Sequence, residues 1–303
     1  MKVRILGCGT SGGVPRIDGL WGACDPANLR NRRRRVSVLV SEGVTNVLID
    51  TSPDVREQLL DAAVEHLDGV FWTHDHADHS HGIDDLRGVF HAMNRRLEGY
   101  ANAATASVLR RRFDYVFDGQ DGYPPTIDLH ELDDAPVSVG PLVVQPFEQV
   151  HGPIMSLGFR IGGFAYSTDL NAIPPQSERW LENLDLWVVD ALRYEPHPTH
   201  PHLDQTLAWI ERFRPRRAVL THMNWDMDYD TLRRMLPPGV EPAAVAIDPL
   251  PRGLVGSVAG AQCQIEEERL VRIDVAHVAH ELDRVIHEIL GDVVAWRRRE
   301  ADR

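Results

Sequence analysis

Residues 73–79 read Thr73-His74-Asp75-His76-Ala77-Asp78-His79, a stretch that places four strong metal ligands within six positions. The apolar and aromatic residues 70–72 directly before it predict a short β-strand. If the chain turns where that strand ends, His74 and His76 can converge on one ion while Asp78 and His79 face a neighbouring site. Imidazole and carboxylate together suit Zn²⁺, and also Mn²⁺ or Fe²⁺. Four such side chains at this spacing favour a metal centre over a solvated polar turn.

Four residues cannot complete two metal sites, so this interpretation requires further ligands later in the chain. Three candidates stand in the same context, because each follows an apolar stretch that predicts a strand. Strand ends on a rigid sheet are suitable positions for a preorganised metal site. The candidates are His151 after residues 142–150, Asp169 after residues 164–167, and His222 after residues 218–221.

A glycine-rich stretch at residues 7–13, Gly-Cys-Gly-Thr-Ser-Gly-Gly, follows a predicted strand at residues 3–6 and matches the G-x-G-x-x-G pattern. A dinucleotide-binding fingerprint should open a helix at this point. Here Pro15 and Gly19 follow instead, which is typical of a loop. The sequence therefore does not favour a dinucleotide site.

Other local patterns predict a mixed α/β chain. Residues 36–40 and 47–49 predict a hairpin, and a helix follows with Thr51 or Ser52 as its N-cap and Pro53 in its first turn. Helices are also predicted around residues 103–113 and from Leu203 to Phe213, and a further hairpin forms around Gly162-Gly163.

Bulk properties indicate an ordinary soluble protein. The chain has 303 residues, of which 43% are hydrophobic. No apolar run reaches about 18 residues, so the sequence predicts no membrane span. Its three cysteines form no disulfide pattern, so a cytoplasmic location is expected. The net charge of −13 makes nucleic acid an unlikely partner. One basic stretch, residues 30–35, holds five arginines; it is either a solvated loop or an attractor for a phosphate-bearing substrate.

The order H-x-H-x-D-H, followed by separate His, Asp and His residues, resembles the metallo-β-lactamase fold superfamily over residues 1–249. That resemblance implies an α/β fold of the layered α+β type, in which two sheets form an αββα sandwich. It also implies that two divalent ions, Zn²⁺ or Mn²⁺, are bound at the strand ends. It implies that His74, His76 and His151 bind one ion, that Asp78, His79 and His222 bind the other, and that Asp169 bridges them.

Three stretches are most similar to the PhnP-type phosphodiesterases, which open phosphoribosyl cyclic phosphates. They are residues 7–15, the Ser-Thr-Asp at residues 167–169, and His202-Leu203-Asp204 opening a helix before Leu220-Thr221-His222. The resemblance implies catalytic roles for His202 and Asp78. The PhnP type also carries a cysteine cluster for a structural zinc, of which residues 21–26 keep only Cys24, so we expect that extra site to be absent.

Residues 250–303 lie beyond the usual end of this fold and form a C-terminal extension. Apolar residues recur there at helical spacing, which predicts an amphipathic helix that docks on its own domain or on a second subunit. A homodimer is therefore one alternative. The apolar positions are Val275, Val278, Leu282, Val285, Ile286, Ile289 and Val293.

The implied activity is a binuclear metal-dependent phosphodiesterase acting on a small phosphodiester, cyclic ones included. Two ions about 3.5–4 Å apart would share a hydroxide that attacks phosphorus, while His202 protonates the departing oxygen. The same centre could instead hydrolyse a thioester or lactone, or process RNA. A metal-stabilised scaffold without chemistry is disfavoured, because all seven ligand positions are kept.

Overall fold

The protein is described by a computed structural model that covers residues 1–245. The chain divides into two units, Met1–Pro249 and Leu250–Arg303, and the description concerns the first. The predicted amphipathic helix of the extension lies outside the described residues and stays a prediction. Within residues 1–245, no helix is both long enough and apolar enough to span a membrane.

A first mixed sheet contains six strands that are hydrogen-bonded in chain order. They are β1 (Lys2–Gly7), β2 (Ser37–Glu42), β3 (Thr45–Ile49), β4 (Gly69–Phe71), β5 (Leu97–Asn102) and β6 (Ile127–Leu132). The first three strands are antiparallel, and β3 to β6 are parallel. Val38 and Val40 face the main core while Leu39 faces a second core under the helices, so both faces of the sheet are buried.

A second mixed sheet contains seven strands, which are also hydrogen-bonded to their neighbours in the chain. They are β7 (Val137–Val139), β8 (Leu142–His151), β9 (Ile154–Ile161), β10 (Phe164–Ser167), β11 (Leu186–Asp190), β12 (Ala218–Thr221) and β13 (Val240–Pro242). Strands β7 to β10 form one antiparallel meander, and strands β10 to β13 are parallel to one another. Parallel strands end at one edge of the sheet, which brings the residues that follow them together.

The described residues also contain seven α-helices. They are α1 (Val55–Ala62), α2 (Ala77–Ser80), α3 (Leu86–Met93), α4 (Ala103–Arg112), α5 (Asp114–Asp118), α6 (Leu203–Phe213) and α7 (Tyr229–Met235), with short 3₁₀ turns at Leu29–Asn31, Ile83–Asp85 and Pro175–Leu181. Helices α1, α3, α4 and α5 contribute to the core under the first sheet. Helices α6 and α7 pack on the main core at the second sheet. The predicted αββα sandwich is confirmed.

Helix α1 begins later than the sequence predicts. Its N-cap is Asp54, and its first helical residue is Val55. Ser52 Oγ instead accepts a hydrogen bond from the Asp54 N–H (3.2 Å), so Ser52 stabilises the turn that precedes the helix. Asp50 lies in this same turn, and its carboxylate faces the candidate site described next.

The glycine-rich stretch near the N-terminus is a loop, as predicted, and its glycines have a packing role. A Cβ added at Gly7 would overlap the carbonyl oxygen of Arg35, and one at Gly9 would lie 2.9 Å from the Cβ of Arg33. Gly9 also forms bridges to Arg35 and Met223. The pattern therefore allows three segments to approach closely, and it does not form a nucleotide cradle.

Candidate metal centre

The seven predicted ligands lie together at the ends of the strands that precede them. His74, His76, His151 and Asp169 each offer one atom within 4.8 Å of the others. A second group has the same compactness and consists of Asp78, His79, Asp169 and His222. The structure thus brings the residues together in the two groups that the resemblance implies; metal binding itself stays a prediction.

Asp169 belongs to both groups, and its two carboxylate oxygens divide between them. Its Oδ1 lies 3.8 Å from His74 Nε2 and 3.7 Å from His151 Nε2. Its Oδ2 lies 3.0 Å from His79 Nε2 and 3.4 Å from His222 Nε2. A carboxylate with one oxygen toward each group has the arrangement of a bridging ligand.

The donor atoms of this cluster fit divalent ions. The Nε2 atom of His74 is buried and has no hydrogen-bond partner within the described part of the chain. A buried polar atom left unpaired is destabilising, so such atoms call for a ligand. Imidazole nitrogens beside carboxylate oxygens are the donor set that Zn²⁺ and Mn²⁺ accept.

Hydrogen bonds on the far side of the rings orient the histidines. Asp50 Oδ2 lies 2.8 Å from His79 Nδ1, and Asp50 Oδ1 accepts the Thr73 N–H at 2.8 Å. His151 Nδ1 lies 2.8 Å from the Thr199 carbonyl oxygen. Because each Nδ1 is used as a donor, each Nε2 is left with a lone pair that faces the centre.

Three residues of the centre adopt left-handed backbone conformations that are unusual for residues other than glycine. Their φ angles are 64° at Asp50, 54° at Asp169 and 57° at His222. Such conformations persist where the surrounding structure over-determines them, and they concentrate at functional sites. At Asp169 the backbone N–H is held by Asp190 Oδ2 at 3.0 Å.

Burial and neighbouring charges both shift the pKa values of the side chains in this cluster. Burial, with added repulsion from His79, lowers the pKa of His74 well below its ordinary value. Burial would also lower the pKa of His222, but the carboxylates of Asp169 and Asp190 outweigh it and raise that pKa to about 9. Burial would raise the pKa of Asp169, yet neighbouring histidines hold it well below its ordinary value. The Asp169 carboxylate therefore stays ionised in the metal-free protein.

His200, which the sequence analysis did not single out, lies in this cluster, whereas His202 does not; the catalytic role implied for His202 stays a prediction. His200 Nε2 is 3.7 Å from Asp169 Oδ1, and its ring stacks on that of His222 with centroids 4.8 Å apart. His200 Nδ1 lies 2.9 Å from Asp190 Oδ2. His202 is the N-cap residue of α6, and its backbone forms a bridge with Arg193. Its position is fixed by the start of the helix and so leaves its ring outside the groups described above.

The arginines of residues 30–35 are mostly engaged within the fold. Arg33 is buried, with 2% of its surface exposed. Arg34 pairs with Asp61 and Arg35 pairs with Asp54, both at 2.7 Å. Arg30 lies over the Tyr229 ring at 5.2 Å. This arrangement weakens the expectation that the stretch attracts phosphate-bearing substrates.

Comparisons with known proteins agree with this fold. A family model described as a beta-lactamase superfamily domain matches residues 45–223. A crystal structure of a diphosphatase from the PhnP family is 35% identical, with a TM-score of 0.75, and the match covers 80% of this chain and 93% of that one. Zn²⁺-bound PqqB from Methylobacterium extorquens is 20% identical, with a TM-score of 0.64, over 80% of this chain and 98% of that one.

A curated relative is a longer protein. It is an octanoyltransferase from Porphyromonas gingivalis (strain ATCC BAA-308 / W83), 35% identical over 229 residues, which are 74% of this chain and 46% of the relative. The chain therefore spans about half the length of that curated relative.

Proposed function

Because this chain belongs to the beta-lactamase superfamily, we propose that it is a binuclear metal-dependent hydrolase that cleaves a small phosphodiester, cyclic ones included. The observation that carries the proposal is the division of the Asp169 carboxylate, with Oδ1 toward His74 and His151 and Oδ2 toward His79 and His222. Two separate ligand groups that share one carboxylate form the arrangement that a two-metal hydrolase requires.

The residues of the centre have distinct parts in this proposal. Bound Zn²⁺ or Mn²⁺ ions would supply Lewis acidity and make a water molecule acidic enough to act as a nucleophile at neutral pH. Asp78, whose Oδ2 is 3.4 Å from His222 Nε2, would be a ligand and would also accept the proton of the attacking water. Asp169 holds the two ligand groups in register.

His200 takes the acid role that the resemblance assigned to His202. Asp190 holds Nδ1 of His200, so the ring is oriented with Nε2 toward the centre. When both ring nitrogens carry a proton, Nδ1–H donates to Asp190, and Nε2–H can donate to a non-bridging phosphate oxygen or give its proton to the departing alkoxide. Because the ring of His200 contacts the buried Asp190, it keeps this position without a ligand bound.

Phosphorus is favoured over carbonyl carbon as the electrophile by one comparison. The solved structure that is 35% identical to this chain, and whose own chain is covered to 93%, is that of a diphosphatase from the PhnP family. A diphosphate bond differs from a phosphodiester only in its leaving group, so diphosphate hydrolysis is the second candidate activity. RNA processing is less favoured, because the net charge is −13 and the arginine stretch is largely engaged within the fold.

The test is hydrolysis of four substrate classes by metal-stripped protein to which Mn²⁺ or Zn²⁺ is returned. Bis(p-nitrophenyl) phosphate represents a phosphodiester, and a nucleoside diphosphate sugar represents a diphosphate. A thioester and a lactone represent carbonyl substrates. We expect metal-dependent release from the phosphodiester that Asp78→Ala abolishes. Faster turnover of the diphosphate would select the second candidate, and hydrolysis of the carbonyl substrates alone would contradict both.

A further inference from the structure

Arg33 is one of the largest fully buried side chains, and the proposed chemistry does not use it. Its guanidinium donates to the carbonyl oxygens of Asn224 (2.9 Å) and Met227 (2.5 Å). It also reaches Asn31 Oδ1 at 3.4 Å and Cys24 Sγ at 3.7 Å. Burial raises the pKa of the Cys24 thiol, so this group stays neutral. The two terminal amino groups of the cation are therefore paired with neutral acceptors, while its buried Nε has no hydrogen-bond partner among the described residues.

The two carbonyl acceptors are in the loop that follows His222, a proposed metal ligand. Asn224 lies two residues beyond His222, and while its carbonyl accepts from Arg33, its N–H donates to the Leu192 carbonyl oxygen at 2.9 Å. Leu192 begins the loop that carries His200. The peptide groups of Asn224 therefore connect Arg33 to both loops at once.

A buried guanidinium without a carboxylate partner is costly in free energy, and its rigid planar fork can hold several carbonyls in one geometry. The His222 backbone is left-handed (φ 57°), a conformation that persists only when the surroundings hold it. We propose that Arg33 is a positioning residue that locks the His222 and His200 loops so that the second ligand group can hold its ion. This inference rests on the proposed two-metal centre.

The proposal makes the two ion sites respond differently. Arg33 contacts none of the segments that carry His74, His76 or His151 through the hydrogen bonds described above. Loss of its guanidinium should therefore weaken the group of Asp78, His79, Asp169 and His222 most. The first group should be weakened less, because the His200 loop reaches it only through the Thr199 carbonyl oxygen, 2.8 Å from His151 Nδ1. A general loss of stability would weaken both groups alike.

The experiment titrates metal-stripped full-length protein with Co²⁺, following the visible spectrum and counting bound ions by elemental analysis. The variants are Arg33→Met and Arg33→Lys, and the control is Arg35→Met, which removes an arginine of the same stretch that pairs with Asp54. We expect wild type and the control to bind two ions. In Arg33→Met we expect the second ion to bind about 10- to 100-fold more weakly, the usual effect of removing an outer-sphere contact.

Wild-type binding of both ions by Arg33→Met, or equal weakening of both, would overturn the proposal. Should circular dichroism show that Arg33→Met is unfolded, Arg33→Lys decides the matter, because it keeps the charge but loses the planar fork. It should show the same selective weakening to a smaller extent, and wild-type affinity for both ions would refute the role of Arg33. A wild-type protein that binds two ions but leaves phosphodiesters intact would count against the proposed function alone.

Discussion

His200 Nδ1 lies 2.9 Å from Asp190 Oδ2, and the same carboxylate oxygen accepts the backbone N–H of Asp169 at 3.0 Å. One fully buried oxygen thus positions both the carboxylate shared by the two ligand groups and the histidine beside them. Asp190 ends β11, so the sheet itself sets this geometry. Under the proposed function this arrangement separates two roles, since His200 would act on the substrate while Asp169 would hold the ions.

The first prediction tests the role of His200. His200→Ala should lower kcat by about 100- to 10,000-fold, the usual contribution of a general acid, and leave the metal content unchanged. His202→Ala is the matched control, because it removes a histidine two residues away and should leave kcat near the wild-type value. Phosphodiester hydrolysis and elemental analysis of the same samples provide both readouts. If His200→Ala lost an ion in proportion to its activity, His200 would be a ligand.

The second prediction separates the bridging carboxylate from a ligand of one group. Asp78 belongs only to the second group, whereas Asp169 belongs to both. Asp78→Ala should therefore leave one tightly bound ion, while Asp169→Ala should weaken both. Binding is measured by competition with a chelator for Zn²⁺. Full retention of both ions in Asp169→Ala would show that Asp169 is not a bridge.

The sequence predicted the seven candidate ligands because their signal is local. The H-x-H-x-D-H stretch follows a strand directly, and His151, Asp169 and His222 each follow an apolar run. The runs before Asp169 and His222, β10 and β12, are buried at every position, so they contain few polar residues and are easily recognised as strands. The αββα sandwich follows from the same pattern together with the family resemblance.

The sequence did not distinguish His200 from His202. Both lie in the proline-rich stretch between β11 and α6, where no periodicity fixes the direction of a side chain. Asp50 and Asp190 were also missed, although Asp50 directly follows the apolar strand β3 and Asp190 is the last residue of the apolar strand β11, a signal that could have identified them. Arg33 carried no such signal, because its burial depends on loops that are distant in the sequence.

The third prediction concerns Asp50, which is fully buried and lies 2.8 Å from His79 Nδ1. Asp50→Asn removes the charge that holds this ring and places an amide N–H₂ against either His79 or the Thr73 N–H. Metal affinity of the second group should fall by about 10- to 100-fold, as for other outer-sphere carboxylates. Asp68→Asn, which alters a partly exposed carboxylate paired with Arg95, is the control. Unchanged Zn²⁺ affinity in a chelator competition would rule out this support role.

The fourth prediction concerns the pH dependence of stability at Asp228, the N-cap of α7. Its Oδ1 accepts the Thr231 N–H (2.9 Å), and its Oδ2 accepts from Asn31 Nδ2 (2.7 Å). Burial acts to raise the pKa of Asp228, but the hydrogen bonds from Thr231 and Asn31 outweigh it and lower the pKa to about 2. A folded pKa below the unfolded value of about 3.9 means that ionised Asp228 stabilises the fold above pH 4.

That stabilisation should be lost as the pH falls from about 4 toward 2, because the carboxyl is then protonated in both states. At pH 7, Asp228→Ala should lower the free energy of unfolding by about 1 kcal/mol or more, since it removes a helix cap. The measurement is urea denaturation of metal-stripped wild type and variant at several pH values, in which groups common to both proteins cancel. Asp230→Ala, at an exposed neighbouring position, should show a small difference with little pH dependence. A wild-type advantage over Asp228→Ala that persisted unchanged down to pH 2 would mean that the charge of Asp228 does not stabilise the cap.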